Sequence, residues 1–239
     1  MTSYKLTIVE SPEKLAQQAA QVLAAQIDLV LGSRDRAHIA LAGGTTPAAT
    51  YRLLGEEHLP WERVDVWLGD ERWVAADDPA SNLGLLKTSL LASPLAAGTN
   101  LHPVPTDLAS PDLGAAAYGQ EIMHYCVGSP PRLDLILLGL GDDGHTASLF
   151  PGTHATVVTD EWVTVSEGKG MARITMTAPL LSAARKVVFL VSGSPKREAL
   201  RRLLDPEESP QRTPARLVQP DTEVIVLADQ AAAGESTPW

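Results

Sequence analysis

The stretch LDLILLGLGDDGHTASLFPG, residues 133–152, decides how this chain is read. Residues 133–140 are a short, mostly apolar run of the kind expected for a buried strand. The run then breaks into Gly141, Asp142, Asp143, Gly144 and His145. Backbone made this permissive by glycine, carrying two acids and a histidine, points to chemistry performed at the end of a strand.

The same pattern recurs on both sides of it. Residues 37–42, AHIALA, read as a strand leading into GGTTP, and residues 64–68, VDVWL, as a strand leading into GDER. Residues 187–191, VVFLV, lead into SGSPK. A first strand is predicted over Lys5–Val9. Ser11, Pro12 and Glu13 then supply a cap, a proline at the first helical position and an acid in the first turn. Leu15, Ala19, Val22, Leu23, Ile27 and Val30 follow at helical spacing, and Gly32 ends that helix. Further helices are predicted from about Pro47, over Asn82–Leu91, over residues 109–126 and around Ala199–Leu204. Trp162–Val165, Arg173–Thr177 and Glu223–Leu227 read as strands. The proline-rich patch at 205–220 reads as a surface excursion, and the tail after Ala233 is expected to fray.

Strands alternating with helices predict an α/β fold: a mainly parallel, Rossmann-like sheet with helices on both faces and a small mixed β excursion in the last third. One domain is expected over residues 1–239. Ligands of such sheets sit outside the carboxyl ends of the strands, so GGTTP, GDER, GDDGH and SGSPK are expected on one rim.

Composition narrows the ligand. Hydrophobic residues make up 44% and charged residues 20%, which are globular values. A net charge of −10 argues against nucleic acid, whose binding needs a basic face. A small anion would instead need a local cluster of donors and cations. No apolar run approaches the ~20 residues that span a bilayer. The first residues lack the basic and apolar regions of a secretory signal, and Cys126 is the one cysteine. A cytoplasmic protein with no membrane partner is expected. No histidine spacing suggests a metal, and no cofactor fingerprint is present.

Each rim motif has a physical reading beside an ordinary one. In GGTTP, Gly43 and Gly44 let the backbone turn with exposed N–H groups, Thr45 or Thr46 can cap, and the helix N-terminus suits an anion; an ordinary strand-to-helix turn looks the same. In SGSPK, Ser194 is a cap candidate and Pro195 suits the first helical position. Lys196 then opposes the helix dipole unless an anion is bound; a solvated surface lysine is the plain alternative. In GDER, Arg72 can fork onto a phosphate or pair with Asp70 or Glu71. In GDDGH, a histidine two residues from Asp143 can have its tautomer set by that carboxylate; a capped turn is the alternative.

Taken together, these loops resemble the glucosamine-6-phosphate isomerase/6-phosphogluconolactonase family. LAGGTTP, VWLGDERWVAADDPASNLGL, LDLILLGLGDDGHTASLFPG, RITMTAPLL and VSGSPKREAL carry the resemblance, in the family's order, over about residues 40–204. The resemblance implies hydrolysis of 6-phosphoglucono-1,5-lactone to 6-phosphogluconate in the oxidative pentose phosphate pathway. It implies a phosphate loop at Gly43, Gly44 and Thr45, phosphate-binding cations at Arg72 and Lys196, and a catalytic pair at Asp143 and His145. Asp70, Asn82 and Arg173 lie in family motifs and are expected to bind substrate. A sugar-phosphate lactone is the expected partner, and a monomer or weak homo-oligomer the expected state. A deaminase of an amino-sugar phosphate and a non-catalytic sugar-phosphate sensor are the competing readings. The deaminases share Asp70 and Asp143-Gly144-His145 but carry a glutamate five positions beyond the histidine, where this chain has Phe150.

Overall fold

The computed structural model describes residues 2–234. In chain order the elements are β1 (Tyr4–Val9), α1 (Pro12–Leu31), β2 (Ala37–Leu41), α2 (Thr45–Gly55), β3 (Val64–Leu68), β4 (Asp70–Arg72), α3 (Asn82–Thr88), β5 (Asn100–His102), α4 (Pro111–Tyr125), β6 (Leu135–Gly139), β7 (Val163–Gly168), β8 (Met171–Met176), α5 (Ala178–Ser182), β9 (Val187–Val191), α6 (Arg197–Leu204), β10 (Val224–Asp229) and α7 (Gln230–Ala233). Of the tail after Ala233, expected to fray, Gly234 still donates its N–H to the Gln230 carbonyl at 2.9 Å, and residues 235–239 lie outside the described residues.

Seven strands form one sheet in the order β1-β10-β9-β6-β2-β3-β5, and every neighbouring pair is parallel. In β3 and β9 every residue is buried. Successive side chains of a strand point to opposite faces, so the centre of this sheet is covered on both. From β2 the chain moves outward through β3 to β5, and from β6 it moves the other way through β9 to β10. The switch lies between β2 and β6, whose carboxyl ends carry GGTTP and GDDGH side by side.

Helix α1 follows its sequence pattern. The Ser11 hydroxyl accepts from Lys14 N at 3.3 Å, and Leu15, Ala19, Leu23 and Ile27, four apart, are fully buried. Each large aliphatic so buried contributes about 2 kcal/mol. The helix predicted to reach Leu91 stops at Thr88 instead. There the hydroxyls of Thr88 and Ser89 donate back to the Gly84 and Leu85 carbonyls, and the chain tightens into a 3₁₀ turn over Leu90–Ala92.

Two corrections concern strands. GDER is not a loop: Asp70–Arg72 pairs antiparallel with β8, so the small sheet is β4-β8-β7, wholly antiparallel, with one strand from the first third of the chain. Edge strand β5 has no counterpart in the sequence reading, because Asn100-Leu101-His102 is too short and too polar to show a strand period. The proline-rich patch is also more than a surface excursion. Thr213 and Ala215 within it are fully buried, and Ala215 N donates to the Gly144 carbonyl at 3.0 Å, so the patch backs the GDDGH loop.

Candidate active site

A cleft of about 240 Å³ opens over the β2/β6 switch. All four rim loops contribute to its wall: Gly43, Gly44 and Thr45 from GGTTP, Asp70 and Arg72 from GDER, Gly141 and His145 from GDDGH, and Ser192 and Lys196 from SGSPK. Asn82, Lys169 and Arg173 complete it. Two larger hollows, of about 370 and 430 Å³, bring no histidine to their walls, and the first carries Asp112, Asp160 and Glu161. In a chain of net charge −10, the cleft gathers four cations, Arg72, Lys169, Arg173 and Lys196, against the single carboxylate Asp70.

At one end the backbone turns into α2. Gly44, at φ 109°, is the cap residue, and neither Thr45 nor Thr46 caps with its side chain. Both threonines sit in the first turn, where backbone N–H groups lack helical acceptors, and both face the cleft. Gly43 lies so close to Asn82 that a Cβ would overlap its amide. The SGSPK expectation needs a similar correction. Ser194 is not a cap: residues Ser194–Lys196 form a 3₁₀ turn entered through Gly193 at φ 93°, and α6 begins at Arg197. Asp229, at the end of β10, accepts from Gly193 N at 3.0 Å and from the Ser192 hydroxyl at 2.5 Å and does the holding instead. Lys196 therefore stands on an anchored turn and lines the same cleft as the GGTT backbone.

Arg72 makes no ion pair with Asp70 or Glu71. Its guanidinium donates to the Ala80 carbonyl, while its Nε is buried without a partner. Glu71 is occupied elsewhere, accepting from Asn82 N at 2.7 Å and Leu83 N at 2.8 Å at the start of α3. That placement of Asn82 lets its side-chain amide donate to the Asp70 carbonyl at 2.8 Å. Asp70 is buried and accepts from the Ser148 hydroxyl at 2.5 Å, with the Arg173 guanidinium 3.7 Å away. Asp70, Asn82 and Arg173 thus form one linked floor.

At the other end, His145 Nδ1 lies 2.5 Å from Asp143 Oδ1, and the same oxygen accepts from His145 N at 3.0 Å. Asp143 itself stands behind the histidine, and Asp142 is exposed, its side chain apart from the cleft. A Cβ on Gly141 would overlap both the imidazole and the Asp143 carboxylate, so only glycine permits this pairing. Phe150 packs on the imidazole with ring centroids 4.3 Å apart, and the Arg173 guanidinium lies over that phenyl ring, 5.3 Å from its centroid. Burial pushes the His145 pKa below its ordinary value, while Asp143 pulls it upward. Burial raises the Asp143 carboxyl, but its hydrogen bonds to His145 outweigh that and hold it below the usual carboxylate range. Near neutral pH this is an uncharged imidazole with a fixed tautomer, backed by a carboxylate.

The family described as glucosamine-6-phosphate isomerases/6-phosphogluconolactonase matches residues 10–227. The chain belongs to that family. It is 41% identical over 237 residues to 6-phosphogluconolactonase of Synechocystis sp., covering 98% of this chain and 99% of the relative. To the enzyme of that name from Nostoc sp. it is 38% identical, covering 97% and 98%. Among solved structures, 6-phosphogluconolactonase from Trypanosoma brucei superposes with a TM-score of 0.86 at 27% identity, covering 98% of each chain.

Some residues that line or brace this family member's cleft are not apparent from sequence. Asp229 is one: its role depends on a loop 36 positions away. Ser148 is another, bonded across 78 positions to Asp70. Lys169 is a third, and here a signal existed. Gly168-Lys169-Gly170 between two alternating runs is a hairpin turn, and a lysine is an unusual choice for its tip.

Proposed function

We propose that this chain hydrolyses 6-phosphoglucono-1,5-lactone to 6-phosphogluconate in the oxidative pentose phosphate pathway, with His145 as the proton-transferring group. Arg72, Lys196 and the backbone N–H groups of Gly43, Gly44 and Thr45 take the phosphate, and Asp70, Asn82 and Arg173 line the sugar. Nδ1 of His145 is engaged by Asp143, which leaves Nε2 to act. Water attacks C1 and gives its proton to Nε2, and the carbonyl π pair moves onto the carbonyl oxygen. The pair then returns, the bond from C1 to the ring oxygen breaks, and Nε2 delivers the proton to that oxygen. Asp143 holds the ring and stabilises the transient imidazolium. Binding energy from the distant phosphate holds C1 in place.

The observation that carries this reading is that one cleft holds His145, paired with Asp143, together with Arg72, Lys169, Arg173 and Lys196, with Phe150 against the imidazole. A lactone already presents its carbonyl, whereas opening a hemiacetal ring needs further proton handling that a phenyl ring cannot supply. Every group named comes from one chain, which suits a monomer or weak homo-oligomer. The acidic balance suits a protein that does not bind nucleic acid, and the single cysteine suits the cytoplasm. No helix among the described residues is long and apolar enough to cross a membrane.

The test follows acid release from freshly made 6-phosphogluconolactone against its spontaneous hydrolysis. Acceleration is expected, and His145→Ala should reduce turnover by about 10²–10⁴, the worth of a positioned acid–base group. Sustained ammonia release from glucosamine 6-phosphate, abolished by His145→Ala, would replace this reading with the deaminase one.

A further inference from the structure

The β7–β8 hairpin ends in a two-residue turn, Lys169–Gly170, with φ of 53° and 77°. Such primed turns favour asparagine or glycine at both central positions. A lysine in the left-handed region costs about 1–2 kcal/mol, and strain of this kind gathers at functional sites. Among the described residues only Ala147 and Lys169 are non-glycine residues at positive φ, and both line the cleft.

The hairpin is anchored rather than loose at this point. Arg173 Nε donates to the Gly168 carbonyl at 3.3 Å, and Gly168 lies so close to Phe150 that a Cβ would overlap the ring. Phe150 in turn packs on His145. Lys169 therefore lines the same cleft as His145, and its charge bears on both His145 and Asp143.

The chemistry at His145 changes charge. C1 of the lactone is neutral, its carbonyl oxygen becomes an oxyanion as water adds, and the product carries a carboxylate there. A cation placed here favours the later states over the substrate, which is what accelerates a step. Resting on the lactonase reading, we propose that Lys169 is the cation that meets this charge, stabilising the oxyanion at C1 and then holding the product's carboxylate.

The proposal is separable from the phosphate site by two open-chain ligands that differ only at C1. 6-Phosphogluconate carries a carboxylate there, and D-glucitol 6-phosphate a hydroxymethyl group. Titration calorimetry with Lys169→Asn is the measurement. Asparagine suits the turn better than lysine, so loss of fold does not confuse the result. 6-Phosphogluconate should bind the variant about tenfold more weakly, as for one charge-assisted contact, with D-glucitol 6-phosphate unchanged. Turnover of the lactone should fall by about the same factor, and Lys169→Arg should restore both in large part. Equal weakening of both ligands would put Lys169 at the phosphate instead, and no change in either would remove it from the reaction. Either result overturns the proposal while leaving the lactonase reading intact. If Lys196→Ala weakened neither ligand, the orientation of substrate would fail and this proposal with it.

Discussion

Replacing Asp143 with asparagine keeps the volume of the side chain and removes its charge. In the native site one carboxylate oxygen receives both the imidazole, at 2.5 Å, and the His145 backbone N–H, at 3.0 Å. The amide oxygen of the substituted side chain can still accept from both, so the ring should keep its place. What is lost is attraction for the imidazolium formed when water is deprotonated. Two opposite charges about 4 Å apart interact by ~4 kcal/mol at an effective dielectric constant near 20. Asp143 is 42% exposed, and solvent discounts that figure to roughly the 1.5–3 kcal/mol of a charge-assisted hydrogen bond. Turnover should therefore fall roughly 10- to 100-fold, at 1.36 kcal/mol per decade. The pH profile carries a second signature. Asp143 raises the His145 pKa against the lowering effect of burial. In the native protein the acid limb of kcat/KM should already lie below the ordinary 6.5, and Asp143→Asn should move it lower still. Initial rates of acid release across the pH range, corrected for spontaneous hydrolysis, give both quantities. A variant with native turnover, or with its acid limb moved upward, would refute the claim that this carboxylate supports the imidazolium.

Lys196→Ala should raise KM for the phosphorylated lactone about tenfold or more, with little effect on the unphosphorylated lactone; equal effects on both would detach Lys196 from the phosphate. Gly141→Ala should push the imidazole aside and lower turnover about 10²-fold, the cost of a misplacement near 1 Å, with the thermal midpoint little changed. Far from the cleft, His102 bridges Glu121 at 2.7 Å and Asp65 at 2.9 Å while stacking on Trp67, in a cluster that also holds Arg36 and His38. Burial lowers the His102 pKa, but the two carboxylates win and raise it. A raised folded-state value means stability that is present below the unfolded pKa and lost as pH rises through the folded one. His102→Gln should cost about 3 kcal/mol in urea unfolding near pH 6 and less near pH 9; a difference that stayed constant with pH would contradict the bridging imidazolium.

Much of this protein was legible from local pattern. The runs at 64–68 and 187–191 are strands with those very bounds, because a strand buried on both faces must be apolar throughout. Asp143 and His145 are two residues apart, so a single turn suffices to bring them together, and Gly141 gives the space. The rim itself followed from strand–helix alternation, since parallel strands put their carboxyl ends on one side.

What local pattern could not decide were pairings between distant segments. Caps are one case. A serine or threonine beside a proline resembles a cap from either strand end, yet Gly44 and Gly193 occupy those positions, with Asp229 bracing the second loop from 36 positions away. Arg72, whose guanidinium bonds the Ala80 carbonyl and makes no ion pair among the described residues, is another. Asp70 and Glu71 are both possible partners from local sequence, but α3 presents the backbone N–H groups of Asn82 and Leu83 to the Glu71 carboxylate, and Ser148 takes Asp70. Short strands β4 and β5 exist only because a sheet edge was there to receive them. Sequence spacing encodes geometry within one turn of helix or one stretch of strand. Which loop braces which, and where Lys169 points its charge, depends on strand order, and strand order is settled by burying the whole sheet at once.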